Sequence, residues 1–217
     1  MLLSGLLYLA IVIPGYAFGY FAPTIINTYT IGTIRTQLLS VPPWACGFVR
    51  ALGIAALSDR VRHRFLFVAV PLLFAIAGYC ILLTVHTSPS TQYAAMFLIV
   101  LGIWTPLPII VCWTTMNVRG SAERAVAIGW IIGFGNIGGI PAVYLFLQEE
   151  APTYTRGFAV SLACVILSIF LSAAYAGLCW LENRKILRNH LTNNDGVEAV
   201  PVDSTDDNEH APVLNMI

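Results

Sequence analysis

The chain has 217 residues, 58% of them apolar and only 10% charged, with no formal net charge. A soluble domain averages about 45–50% apolar and about 25% charged residues, so a water-facing globule is excluded, and a mean hydropathy of +0.78 points to lipid as the solvent. Zero net charge removes any global field for nucleic acid or an acidic partner, although all eleven Lys and Arg precede Asn189 while six of the eleven acids follow it.

A membrane span needs roughly 20 mostly apolar residues to cross about 30 Å of hydrocarbon. Six stretches meet that length, at about 2–26, 36–58, 65–86, 92–116, 125–147 and 158–181. Runs this long in lipid must be helices, because only a helix pairs every backbone group within its own segment. The fold class expected is therefore all-α and integral to the membrane, with a six-span bundle over 1–188.

The first span opens without a basic flank and is longer than a secretory h-region of about 7–15 residues, so it reads as a retained span. It carries Pro14 and Pro23, with Tyr16 and Tyr20 one turn apart. Tyr16 lies mid-span and points to a cavity role; Tyr20 suits either a cavity or the headgroup belt.

The second span holds Arg50, about 12 Å at helical rise from its end near Ser58. Thr36, Ser40, Pro43, Gly47 and Arg50 recur at spacings of four and three, a small and polar stripe on one helix face. A charge in mid-membrane costs about 2.5–3.5 kcal/mol, so it is usually functional. Two readings stand: Arg50 binds an anionic solute or an absent carboxylate, or it snorkels to the headgroups.

SDRVRHR follows, with Asp59, Arg60, Arg62 and Arg64 concentrated at a helix end. Positive-inside topology explains the arginines, and Asp59 is what it leaves over. The third span (65–86) is apolar throughout and reads as peripheral.

In the fourth span Thr105, Pro108, Cys112 and Thr115 share a face, with Trp104 and Trp113 nearby. The fifth holds Gly129, Gly133, Gly135 and Gly139 at small-xxx-small spacing, which lets helices approach closely. Asn136, on the Gly129/Gly133 face, either donates to a solute or ties two helices together. Pro141 is expected to kink or break the span. The sixth is apolar like the third, so polar, polar, apolar occurs twice, as expected of two three-helix units.

Residues 189–217 are acidic, lack Lys and Arg, and show no helical period. They read as a disordered, solvated tail. Eight Lys and Arg lie on one side of the bundle and two on the other, which puts both termini in the cytosol. The five cysteines are single thiols within apolar runs, with no disulfide framework or metal spacing. No metal or other cofactor is implied, and no span holds a catalytic cluster, so an enzyme is not expected.

SDRVRHR resembles the loop motif of the major facilitator superfamily at its second-half copy, with Ala55 and Arg62 standing where glycine is usual. FAPTII (21–26), QLLSVPP (37–43), RAVAIG (124–129), GFGNIGGI (133–140) and LENRK (181–185) are together similar to fungal anion:cation symporters of the allantoate and nicotinate permease type. The resemblance covers about residues 1–188 and maps the six spans onto spans seven to twelve, the C-terminal bundle of a twelve-span carrier. It implies proton-coupled symport of a small organic anion, often a carboxylate, by alternating access at the plasma membrane.

Arg50, Asn136, Tyr16, Trp113 and Gln37 form the candidate substrate-binding set, and Asp59, Arg60, Arg62 and Arg64 the cytosolic loop motif. The first six spans have no counterpart here, so a shortened reading of a longer gene, a half-carrier that needs its N-terminal half or a second copy, and a non-transporting remnant are all open. A membrane protein that assembles with or regulates a full-length carrier is the competing function.

Overall fold

The apolar runs fold into helices in a computed structural model, which describes residues 1–27, 33–61, 64–85, 88–118, 120–145 and 154–194. The described residues form eight helices: α1 Leu2–Asn27, α2 Thr33–Val61, α3 Arg64–Thr84, α4 Pro89–Ile103, α5 Pro106–Met116, α6 Ser121–Asn136, α7 Gly139–Tyr144 and α8 Thr155–Asn194. α4 with α5 and α6 with α7 each make one interrupted span, giving six helical segments long and apolar enough to cross a membrane. α8 runs on to Asn194, past the expected edge of the tail at 189, and positions 195–217 lie outside the described residues.

Burial repeats every three spans. The buried share is 56%, 11% and 39% along the first three spans, then 61%, 28% and 33% along the next three. The first and fourth spans form the centre, the second and fifth are the least covered, and the third and sixth lie between. The polar, polar, apolar pattern of the sequence does not separate the first two classes. α1 sits at the middle of the bundle and packs against α8, α6, α7, α2, α4 and α5.

The closest approach is between α3 and α4. α3 buries Val68, Pro71, Leu72, Ala75, Gly78, Tyr79 and Leu82, one face at a 3.6-residue period, while Leu66, Val70, Leu73 and Phe74 stay exposed. Gly78 and Gly102 supply the room: a Cβ on Gly102 would stand 2.5 Å from the Ala75 amide nitrogen, and one on Gly78 would stand 2.9 Å from the Ala95 carbonyl. α3 is apolar all round, so hydrophobicity does not mark its packing face; small residues and Tyr79 do.

The glycines of the fifth span divide differently from expectation. Gly135 lies against the Tyr8 ring and Gly139 against Tyr16, whereas Gly129 and Gly133 face open space on the uncovered side of α6. The spacing alone treats both pairs alike, but only one faces α1.

Prolines set the irregular backbone. Pro141 has no N–H to give the Ile137 carbonyl, and the fifth span breaks at Ile137–Gly138, where the Ile140 N–H takes that carbonyl at 3.0 Å instead. The fourth span breaks at Trp104–Thr105 ahead of Pro106, and Thr105 Oγ1 donates to the Leu101 carbonyl at 2.7 Å. In α2, Pro43 deprives the Leu39 carbonyl of its helical donor, and Tyr93 Oη of α4 donates to it at 2.9 Å. Tyr93→Phe should therefore loosen α2 from α4 by about 0.6–1.5 kcal/mol. Denaturation of the purified chain in mixed detergent micelles measures this, and an unchanged midpoint would refute it.

Candidate functional site

Tyr16 and Tyr20 lie one turn apart on α1, their rings stacked with centroids 6.1 Å apart and planes 19° from parallel. Asn136 is the last residue of α6, directly before the break that Pro141 imposes. Tyr16 Oη donates to Asn136 Oδ1 at 2.9 Å, joining α1 to the fifth span. Gly139 at the start of α7 lies beside the Tyr16 ring, where a Cβ would stand at ordinary contact distance, 3.4 Å away. Asn136 and Tyr20 are exposed and Tyr16 is half-buried, so the pair sits on an uncovered face. The bond leaves the two NH2 donors of the Asn136 amide and acceptor capacity on the Tyr16 oxygen for a further partner.

The other expected residues are placed apart from this pair. The guanidinium of Arg50 lies 4.8 Å from the centroid of Phe74 on α3, and Arg50 forms no ion pair among the described residues. Its stripe on α2 is a packing face: Thr36, Pro43 and Gly47 are buried, and a Cβ on Gly47 would stand 2.6 Å from Val100 Cγ1 of α4. Small residues on this face thus serve close helix contact. Gln37 is exposed near the head of α2, where its carbonyl accepts from Ser40 Oγ at 2.7 Å.

Trp113 is fully buried, edge-on to Tyr175 of α8 with ring centroids 4.7 Å apart. Sealed there, it offers no face to a solute. Arg60 is exposed in the last turn of α2, where a cation suits the carbonyl end of the helix. Arg64 is 2% exposed at the start of α3, so it packs into the bundle instead of standing in a solvated loop. Arg62 and the side chain of Asp59 lie outside the described residues.

Residue-by-residue reading of the sequence passes over Trp44 and Tyr79. Trp44 of α2 meets Trp104 with centroids 5.1 Å apart and planes tilted by 58°. Tyr79 is fully buried on α3 and donates to the Pro14 carbonyl of α1 at 3.2 Å. Neither contact is marked in the sequence, because only a known helix order pairs the residues. Among the described residues, no group of three His, Cys, Asp or Glu side chains could hold a metal ion.

No protein-family model matches the chain. Curated fungal transporters do. The chain is 28% identical over 177 residues to the MFS-type transporter cnsO of Penicillium expansum, covering 80% of this chain and 34% of that one. It is 30% identical over 169 residues to the MFS-type transporter efuF of Hormonema carpetanum, covering 77% and 34%. It is 28% identical over 167 residues to a high-affinity nicotinic acid transporter of Saccharomyces cerevisiae, covering 76% and 31%. The chain spans about a third of the length of these relatives. Six long apolar helices, with no strand among the described residues, and these relatives give one answer: this is a multi-pass membrane chain related to MFS-type transporters rather than to enzymes, with an architecture consistent with half of a major facilitator fold.

Proposed function

We propose that the chain forms one bundle of a carrier that moves a small organic anion across the membrane by alternating access, coupled to protons. The observation that carries this reading is the exposed Tyr16–Asn136 pair, in a bundle whose second and fifth spans are its least covered. A bundle meant to stand alone in lipid has no use for an uncovered tyrosine–asparagine pair, because lipid tails cannot satisfy its polar atoms. A second bundle placed against the pair would enclose it in a watery space. Asn136 and Tyr16 would then hold the solute by hydrogen bonds, and Tyr20 would extend the aromatic surface.

Arg50 is the charge that would attract the anion from the α2 side, held over Phe74 by a cation–π contact worth about 0.5–2 kcal/mol until a carboxylate competes for it. Nicotinic acid, named for one relative, has the size and charge this arrangement suits. Both termini would lie in the cytosol, and the plasma membrane is the expected site.

The test is uptake of labelled small carboxylates into vesicles under an inward proton gradient. The chain is assayed alone and with a co-expressed N-terminal bundle from a homologous carrier. Uptake that collapses with the gradient, and that Arg50→Gln reduces at least tenfold, is the expected result. A folded chain that moves no carboxylate in either setting refutes the reading. The uncovered second and fifth spans also favour a second role, assembly with a full-length carrier without transport of its own. Co-purification with such a carrier, while uptake stays unchanged, is the outcome that would select it.

A further inference from the structure

α8 is longer than a membrane needs. Its 40 residues rise about 60 Å at 1.5 Å per residue, twice the roughly 30 Å of hydrocarbon. No charged side chain lies between Arg156 and Glu182, so the helix leaves the lipid near position 182 and continues into water. Leu178 and Leu181 are exposed in the last apolar turn, on the side of the lipid tails.

Trp180 marks the boundary. It is exposed, as suits a belt residue between tails and headgroups. One turn on, the Arg184 guanidinium stands over its ring, 3.8 Å from the centroid. Arg184, Lys185 and Arg188 are all exposed, and Arg188 continues the Trp180–Arg184 stripe by one more turn. Glu182, the one acid of α8, lies about 200° around the helix from Trp180 and Arg184. It lines a cavity with Leu3 of α1 and Thr114 of α5 instead.

We propose that this corner of α8 binds the headgroup phosphate of an anionic phospholipid, with Arg184, Lys185 and Arg188 around the phosphate and the tails along Leu178 and Leu181. The ring holds Arg184 in place, so less side-chain freedom is lost on binding. A guanidinium is a planar fork whose paired N–H donors match two phosphate oxygens. Among the described residues, Arg184 spends none of these donors on a hydrogen bond or an ion pair. A lipid fits better than a free anion, because the exposed leucines give its tails a surface that inorganic phosphate cannot use. Positive-inside bias puts cations here, but it does not set an indole beneath one of them. Anionic lipids face the cytosol, the side proposed for this end of the chain. The site belongs wholly to this chain and depends neither on a second bundle nor on the solute.

The test is titration of the purified full chain in neutral detergent, with bound molecules counted by native mass spectrometry. The probes are dioleoylphosphatidylserine, dioleoylphosphatidylcholine and the tail-less glycerophosphoserine. Phosphatidylserine should bind at least tenfold more tightly than either of the others. Each basic residue near such a headgroup is worth about fivefold in affinity. Arg184→Gln should therefore weaken phosphatidylserine about fivefold, and R184Q/K185Q/R188Q should erase the preference. Trp180→Leu keeps every charge and should weaken it about threefold. Arg35→Gln, in the first turn of α2, should change nothing.

Equal binding of the two lipids, or a preference that survives the triple substitution with circular dichroism intact, overturns the site. An equal loss in Arg35→Gln would reveal a general charge effect and overturns it too. Glycerophosphoserine bound as tightly as the whole lipid would make this a soluble-anion site and overturn the lipid assignment. Carboxylate uptake through the Tyr16–Asn136 pair stands or falls separately from all of these results.

Discussion

Gly102→Ala should cost the bundle about 3 kcal/mol or more. The new Cβ would stand 2.5 Å from the Ala75 amide nitrogen, 2.6 Å from Ala75 Cβ and 2.7 Å from the Pro71 carbonyl oxygen. Two of these are backbone atoms of α3, so no side chain can swing away; the helices themselves must part. Replacing glycine with alanine in a helix gains about 1 kcal/mol in propensity. Overpacking a close interface costs about 1–3 kcal/mol even where side chains can adjust. The clash therefore wins.

Separating α3 from α4 also disturbs Gly78, whose Cβ would meet Ile99 Cγ1 at 2.7 Å. The double variant Gly78→Ala/Gly102→Ala should thus fall short of the sum of the singles, because one displacement relieves both. Gly129→Ala is the control: nothing lies within 4 Å of the added atom, and stability should hold or rise slightly. Unfolding midpoints in mixed micelles decide the matter. A Gly102→Ala chain as stable as the parent would show that the α3–α4 contact is looser than described.

Asn136→Ala and Tyr16→Phe should each reduce carboxylate uptake about tenfold or more while leaving the fold intact. The pair is exposed, so its removal leaves no buried group unsatisfied and little stability is at stake. Its place on the uncovered face is where a solute would be gripped. Tyr16→Phe deletes only the hydroxyl and keeps the ring beside Tyr20, so any loss reports the hydrogen bond rather than the stacking. Because the two groups act as a unit, the double variant should be little worse than either single. A role in helix packing predicts the opposite pattern, with a lower unfolding midpoint and unchanged uptake per folded molecule. Folded variants that both transport at the parent rate would remove the pair from the solute path.

Arg50 marks the limit of a one-dimensional reading. Its place well inside the second span is plain in the sequence, and in the structure it forms no ion pair among the described residues. Its stripe of Thr36, Ser40, Pro43 and Gly47 accompanies the solute-binding reading of Arg50, yet the same small residues are what let α2 close on α4. Small size favours both uses, so composition cannot separate them. The glycine pairs of the fifth span make the same point. Gly135 and Gly129 share one spacing rule, but only Gly135 has α1 beside it.

Length and hydropathy alone determined that six helices cross a membrane, because an unpaired peptide group in lipid costs more than any alternative fold can recover. The prolines determined where carbonyls would be orphaned, since a missing N–H is a local fact. Which tyrosine answers which carbonyl, which span becomes the hub and which stays bare, and that Tyr16 meets Asn136 across 120 positions of sequence, only the tertiary structure decided. Helix order in a bundle depends on shape fit between faces that are almost equally apolar. Hydrophobic periodicity carries no information once every face is greasy.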